Sequence, residues 1–208
     1  LWLAQQVGPT GTVVGVDAGA AQLAIARQRA TEAGLTNVTF TEANASASGL
    51  CAASVDVACT RLLLNHVKEP AAVLWELMRV VRPGGWIVCE ETDITTLIAD
   101  PPSEAYRRFV SLGVAYTTHS RLGSSLHRLF RAAGIEPTVR FSQPIHMHGD
   151  QQRLWELTYL EMAPAILAAG LIGKDELESL ASDLTRDTDD ETRLIAPPMM
   201  VQVWGRRP

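Results

Sequence analysis

The sequence predicts an α/β fold: a doubly wound, mostly parallel sheet that ends in a C-terminal antiparallel strand pair and carries helical insertions. Three observations predict it. Short β-rich runs alternate with helical patterns of crossover length over the first hundred or so residues, the arrangement that parallel strands require. Two further strand-like runs lie near the end, as a closing pair. Between that pair some fifty residues show helical patterning, far more than the 2–5 residues of a hairpin turn.

Element by element, Thr12-Val13-Val14-Gly15-Val16-Asp17 reads as a buried strand fenced by the turn Gly8-Pro9-Thr10-Gly11. A helix follows over residues 20–34, with Leu23, Ala26, Ala30 and Ala33 at helical spacing and Gly34 as its stop. Val38-Thr39-Phe40 is a second strand, and Val55 to Thr60 a third that runs on into Leu62-Leu63-Leu64. Residues 70–82 make a helix with Val73, Leu74, Leu77, Met78 and Val81 on one face; Arg82-Pro83-Gly84-Gly85 ends it, and Trp86 to Cys89 is the fourth strand. Helices are predicted over 103–117 and from Ser124 to Gly134. Val139 to Ile145 and Met200 to Trp204 form the closing pair, with Leu154, Leu157, Leu160 and then Leu177, Leu180, Leu184 patterned between them. The chain thus divides into an α/β core over 1–100, a helical insert over 101–123, a core helix and strand over 124–148, a lid-like helical insert over 149–198 and a closing strand over 199–208.

Composition narrows the function. A chain of 208 residues fits one substantial α/β domain with a helical appendage. Hydrophobic residues make up 47% and charged ones 20%, enough to build a core and too apolar for disorder. Net charge is -5 with no basic run, so the positive stripe that neutralises phosphates is missing and a nucleic-acid substrate is disfavoured. Cys51, Cys59 and Cys89 are too scattered for a disulfide framework or a metal cluster, which points to a reducing cytoplasm. No stretch approaches the ~20 apolar residues of a membrane span. His146 and His148 share one strand face but lack a third metal ligand, so no metal is expected. The expected partner is a small molecule, with a homodimer left open.

In open parallel sheets ligands bind outside the carboxyl ends of the strands, and the motifs gather there. Gly11-Thr12-Val13-Val14-Gly15-Val16-Asp17 with Leu23-Ala24-Ile25-Ala26-Arg27, then Asp56-Val57-Ala58-Cys59-Thr60-Arg61-Leu62-Leu63-Leu64-Asn65-His66-Val67-Lys68-Glu69-Pro70, then Glu76-Leu77-Met78-Arg79-Val80-Val81-Arg82-Pro83-Gly84-Gly85 stand in order at compatible spacing. These three blocks resemble those of class I S-adenosylmethionine-dependent methyltransferases, closely over residues 1 to about 93 and more loosely over 124–148 and 199–207. The resemblance implies a Rossmann-like fold, S-adenosylmethionine as cofactor with S-adenosylhomocysteine as product, and in-line transfer of a methyl group to a small, partly apolar acceptor.

It also implies site residues. Asp17, with Ala18, would take the ribose hydroxyls; the same Asp also suits a helix cap. Asn44, with Ala45, stands where the family often has an adenine-binding Asp, and a turn-forming Asn is the rival reading. Thr60 and Arg61 would lie beside the methionine moiety. His119 is the expected base, since an imidazole suits proton transfer near neutral pH. Tyr116 and Glu91 are expected beside it, Tyr116 in the acceptor pocket and Glu91 at the end of the fourth strand. Two other classes stay open: a nicotinamide-dependent oxidoreductase, because a strand ending in Asp also suits an NAD ribose, and a non-catalytic methyltransferase-like module that binds a protein partner. The resemblance further implies a central strand and glycine-rich loop upstream of Leu1, the strand lying between Thr12–Asp17 and Val55–Thr60.

Overall fold

The computed structural model describes residues 1–143 and 153–208. The chain begins with a short helix, α1 (Trp2–Gln6), and a βαβ unit of β1 (Val13–Asp17), α2 (Ala20–Glu32) and β2 (Val38–Glu42). β1 and β2 run parallel in register, with Asp17 opposite Glu42 at their shared carboxyl end. Asn37 pins α1 to this pair, its amide nitrogen donating to the carbonyls of Ala4, Gly8 and Gly11.

The second ladder is built on β3 (Val55–Arg61), joined through α3 (Pro70–Val80) to β4 (Val81–Asp93). Pro70 starts α3 without losing an intrahelical bond, because first-turn amides have none to make. β3 and β4 are parallel, whereas β8 (Met199–Arg206) and β6 (Thr138–Ser142) extend the sheet antiparallel, giving the order β3-β4-β8-β6. The expected closing pair is therefore present; residues 144 and 145 of its first strand, and His146 and His148, lie outside the described residues. Among the described residues, β1–β2 and β3-β4-β8-β6 form two distinct ladders.

Two expectations need correcting. The third strand does not run into Leu62-Leu63-Leu64; it stops at Arg61 because Leu62 takes a left-handed conformation, φ 53°, which turns the chain over the strand tips. The fourth strand is not confined to Trp86–Cys89 but starts directly at Val81. Val55 pairs with Val81 and Val57 with Trp86, so residues 82–85 bulge opposite Asp56. The Pro-Gly-Gly phrase is explained there: Gly84 has φ +75°, and a Cβ on Gly85 would sit 2.6 Å from the Asp56 carbonyl oxygen.

The core of this ladder packs α3 and α5 (Leu122–Ala132) on the sheet through Leu74, Val80, Ile87, Leu126, Phe130 and Val203. A second core belongs to a helical unit of α4 (Glu104–Tyr116), α6 (Arg153–Ala168) and α7 (Lys174–Asp189), where Phe109, Tyr159, Ile166 and Leu184 are fully buried. Polar bonds staple the unit internally: Ser103 donates to Asp187, the hydroxyls of Tyr106 and Thr188 meet at 3.0 Å, and Tyr159 donates to the Leu177 carbonyl at 3.0 Å. A two-stranded antiparallel ribbon, β5 (Ile98–Asp100) with β7 (Leu194–Ala196), joins the unit to the sheet. None of the described helices is long and apolar enough to cross a membrane.

Candidate active site at the strand tips

The carboxyl ends of β1 and β2 carry the first group. Asp17 Oδ1 accepts the Gly19 amide at 2.7 Å, an Asx-type bond that starts α2, and Oδ2 has no partner among the described residues. The turn into α2 thus uses one oxygen of this exposed carboxylate and leaves the other unpartnered among the described residues. Asn44 is committed to a turn: its Oδ1 accepts both the backbone amide and the hydroxyl of Ser46, at 2.9 and 2.8 Å. A carbonyl oxygen has two lone pairs, so both are used and the side chain offers only its amide hydrogens to a ligand. The turn-forming reading of Asn44 is therefore the one the structure shows, and its carbonyl oxygen is not free to accept from an adenine amino group. Ala18 and Ala45 follow Asp17 and Asn44 at the same edge, and Ala45 packs against the sheet's core.

The loop that carries Asn44 is held from below. Glu76 of α3 is buried; its carboxylate accepts the amide and hydroxyl of Ser48 at 2.9 and 2.5 Å and the Arg79 guanidinium at 2.7 and 2.8 Å. The bonds from Arg79 and then Ser48 outweigh the cost of burial and hold the Glu76 carboxyl down at about 2. The sign follows: the folded value lies below the ordinary 4.5, so the stabilisation is present above 4.5 and is lost as pH falls toward 2. A Glu76→Gln protein is expected to lose roughly 2–3 kcal/mol at neutral pH, by denaturant titration, and progressively less than wild type on acidification.

The second group stands on β3 and β4. Arg61 lies exposed at the tip of β3, its Nε donating to Glu90 Oε1 at 2.6 Å, while the other Glu90 oxygen accepts the Gln202 amide. That leaves the two terminal guanidinium nitrogens of Arg61 available. Thr60 Oγ1 and Asn65 Oδ1 are buried oxygens with no hydrogen-bond partner among the described residues. Asn65 was not singled out by sequence; its amide nitrogen donates to the carbonyl and hydroxyl of Thr92, which orients the unpartnered oxygen.

Glu91, expected in a catalytic role, is fully buried and serves the backbone. Its Oε1 accepts the amides of Leu63 and Leu64 at 2.9 and 2.7 Å, and Oε2 lies 3.4 Å from the Asn65 amide. Burial pushes its carboxyl above the ordinary range despite those bonds. The loop after Leu62 is therefore folded around one internal carboxylate. Asp93, at the end of β4, accepts from the Thr95 amide and hydroxyl at 3.1 and 2.5 Å and from Ser124. Gly123 permits this junction, since a Cβ there would lie 2.7 Å from the Thr92 carbonyl carbon.

His119 sits on the turn between α4 and α5, half-buried, with Nε2 3.2 Å from the Lys68 carbonyl. A carbonyl only accepts, so Nε2 carries the hydrogen and the basic lone pair is at Nδ1. Ile94 ties the same turn to the end of β4 by donating to the Ser120 carbonyl at 3.0 Å. Tyr116 closes α4 just before this turn and is exposed. Geometry thus groups His119 and Tyr116 with the β3–α3 loop and the end of β4, and Asp17 and Asn44 with the β1–β2 edge. An open cavity of about 470 Å³ lies elsewhere, between α4 and α7; its charges pair with one another, Arg108 with Glu176 and Arg186 with Asp183.

This order of elements, ladder termini and glycine bulge matches a known family. The model for a methyltransferase domain matches residues 1–134. The chain belongs to that family. Among curated relatives, an uncharacterized 37.1 kDa protein in transposon TN4556 of Streptomyces fradiae is 35% identical over 142 residues, 66% of this chain and 40% of the relative. The demethylmenaquinone methyltransferase of Lactococcus lactis subsp. lactis is 37% identical over 95 residues, 46% of this chain and 38% of the relative. The chain therefore spans about two fifths of the length of these relatives. Among solved structures, an arsenic (III) S-adenosylmethionine methyltransferase from Chlamydomonas reinhardtii shares the fold at a TM-score of 0.56 and 18% identity, over 98% of this chain and 58% of that one. The methyltransferase-domain assignment disfavours the nicotinamide-dependent alternative.

Proposed function

We propose that the protein transfers a methyl group from S-adenosylmethionine to a small, partly apolar acceptor. The observation that carries this reading is the exposed Asp17 carboxylate at the β1 tip, with one oxygen fixed by Gly19 and the other unpartnered, within a methyltransferase domain. An oxygen so presented fits a vicinal diol, which needs an acceptor held in a fixed place. The donor set as a whole suits a nucleoside with an amino-acid tail: Asp17 for the sugar, the Asn44 amide hydrogens for a ring nitrogen, and Thr60 and Arg61 for the polar tail. When bound, the cofactor supplies the electrophilic methyl group, a good leaving group being already attached to it.

The chain's own residues then bind, orient and exclude water. Arg61, steadied by Glu90, orients a carboxylate at the β3 tip. Glu91 shapes the loop that forms the floor, and Asn65 presents an oriented oxygen from it. His119 receives a proton at Nδ1 where the acceptor must lose one. Tyr116 supplies an exposed aromatic surface beside it for an apolar acceptor. The relatives named for demethylmenaquinone favour a quinone-like acceptor with an apolar tail, and a cytoplasmic setting accords with cysteines that are all unpaired.

Calorimetry with S-adenosylhomocysteine and with NAD tests the cofactor. Binding of the first alone supports the proposal; binding of NAD alone, or of neither, overturns it. For the base, His119→Ala is expected to lower methyl transfer to a reduced demethylmenaquinone by about 10²-fold. Affinity for S-adenosylhomocysteine should stay unchanged, and transfer at the wild-type rate would remove His119 from the mechanism.

A further inference from the structure

Among the described residues the chain passes between the sheet and the helical unit at three places. It leaves the sheet through the 3-10 turn Ile94–Thr96 into β5, returns between α4 and α5, and returns again from β7 through Pro197 and Pro198 to β8. Two of these crossings meet at one side chain. Gln143, directly after β6, donates its amide hydrogens to the carbonyls of Thr96 at 2.7 Å and Pro197 at 2.8 Å. Thr96 completes the knot: its hydroxyl donates to the Asp93 carbonyl at 2.7 Å and accepts the Met199 amide at 2.7 Å. One amide group thus ties the outgoing chain to the returning chain beside the end of β6.

On either side of that tie the two bodies hold themselves together. The sheet with α3 and α5 has one buried core, and α4, α6 and α7 have another. The staples Ser103–Asp187, Tyr106–Thr188 and Arg108–Glu176 all lie within the helical unit. Where α4 meets the sheet's end it does so at Gly113, where a Cβ would collide with Ile94, so a smooth backbone rests on one side chain. The crossing between α4 and α5 is outside the knot and carries His119 directly from the C-terminus of α4.

We propose that Gln143 is a positioning residue, the pin of a hinge about which the helical unit turns as one body, carrying Tyr116 and His119 toward and away from the strand tips. A rigid unit with its own core, joined at pinned crossings, moves by changing a few backbone angles there and none inside. That the movement encloses a methyl acceptor rests on the function proposed above; the hinge itself does not, so it is tested without ligand.

The test is a distance measurement between spin labels at Arg128→Cys on α5 and Glu161→Cys on α6, both exposed positions, in a chain carrying Cys51→Ser and Cys59→Ser. With Gln143 in place one distance population is expected to dominate. Gln143→Ala removes two hydrogen bonds and is expected to raise a second, displaced population roughly tenfold. Thr96→Val, which loses the bonds to Asp93 and Met199, should shift it in the same way and decides the matter if the alanine variant does not fold. Tyr106→Phe removes a staple inside the unit and should lower the melting temperature without moving the distance. The proposal is overturned if Gln143→Ala leaves the distribution unchanged, or if Tyr106→Phe displaces it equally.

Discussion

Replacing Glu91 by alanine is expected to destabilise the protein by about 3–5 kcal/mol, because three backbone amides of the β3–α3 loop lose a buried acceptor together. Glu91→Gln should cost much less. Its single carbonyl oxygen can keep the amides of Leu63 and Leu64, and only the 3.4 Å approach of Asn65 then faces a donor. The two variants also separate in their response to pH. Burial raises the folded carboxyl above its ordinary 4.5, so the folded protein holds this proton more tightly than the unfolded chain. The contribution is complete below 4.5 and shrinks as pH rises through the folded value. Glu91→Gln does not titrate, so its deficit against wild type should narrow across that window, as read from denaturant midpoints at a series of pH values. A deficit that widens with pH would mean that the carboxylate, not burial, governs this site.

Asp17→Ala is expected to weaken S-adenosylhomocysteine binding by about 100-fold, and Asp17→Asn by about tenfold, as measured by calorimetry. The difference comes from the division of labour between the two oxygens. An Asn at this position keeps the bond from Gly19 and offers no charge to the sugar, whereas Ala loses both. The start of α2 should therefore suffer only in the alanine variant, by about 1 kcal/mol. Full affinity in both, with that loss of stability in the alanine variant alone, would reduce Asp17 to a helix cap.

Legibility in the sequence followed the range of the interactions. Strands and crossover helices could be read because their patterns are local: β1, α2, β2 and α3 lie within a residue or two of their predicted starts. The place of Asp17 at the end of β1, just ahead of α2, was legible from the same local pattern. The β5–β7 ribbon could not, since Ile98–Asp100 is three residues long and finds its partner at 194–196. Glu91 was misjudged for a related reason. In Cys89-Glu90-Glu91-Thr92-Asp93 the acidic run reads as a solvated loop, and only strand alternation separates Glu90, facing Arg61, from Glu91, facing inward to the amides of a loop some 27 residues earlier. At Asn44 both readings were open, and the turn-forming one is seen, because a sequence does not say whether a side chain has already spent its lone pairs on its neighbours. Gln143 carried no signal at all; its importance comes from two carbonyls brought beside it by distant turns.

The turn at the end of β1 has a consequence for how the site responds to its ligands. One oxygen of Asp17 holds the Gly19 amide while the other is unpartnered among the described residues. A sugar held by the second oxygen would then act as a brace as well as a guest, and amide exchange at Gly19 and in the first turn of α2 should slow with ligand saturation while β6 and β8 stay indifferent.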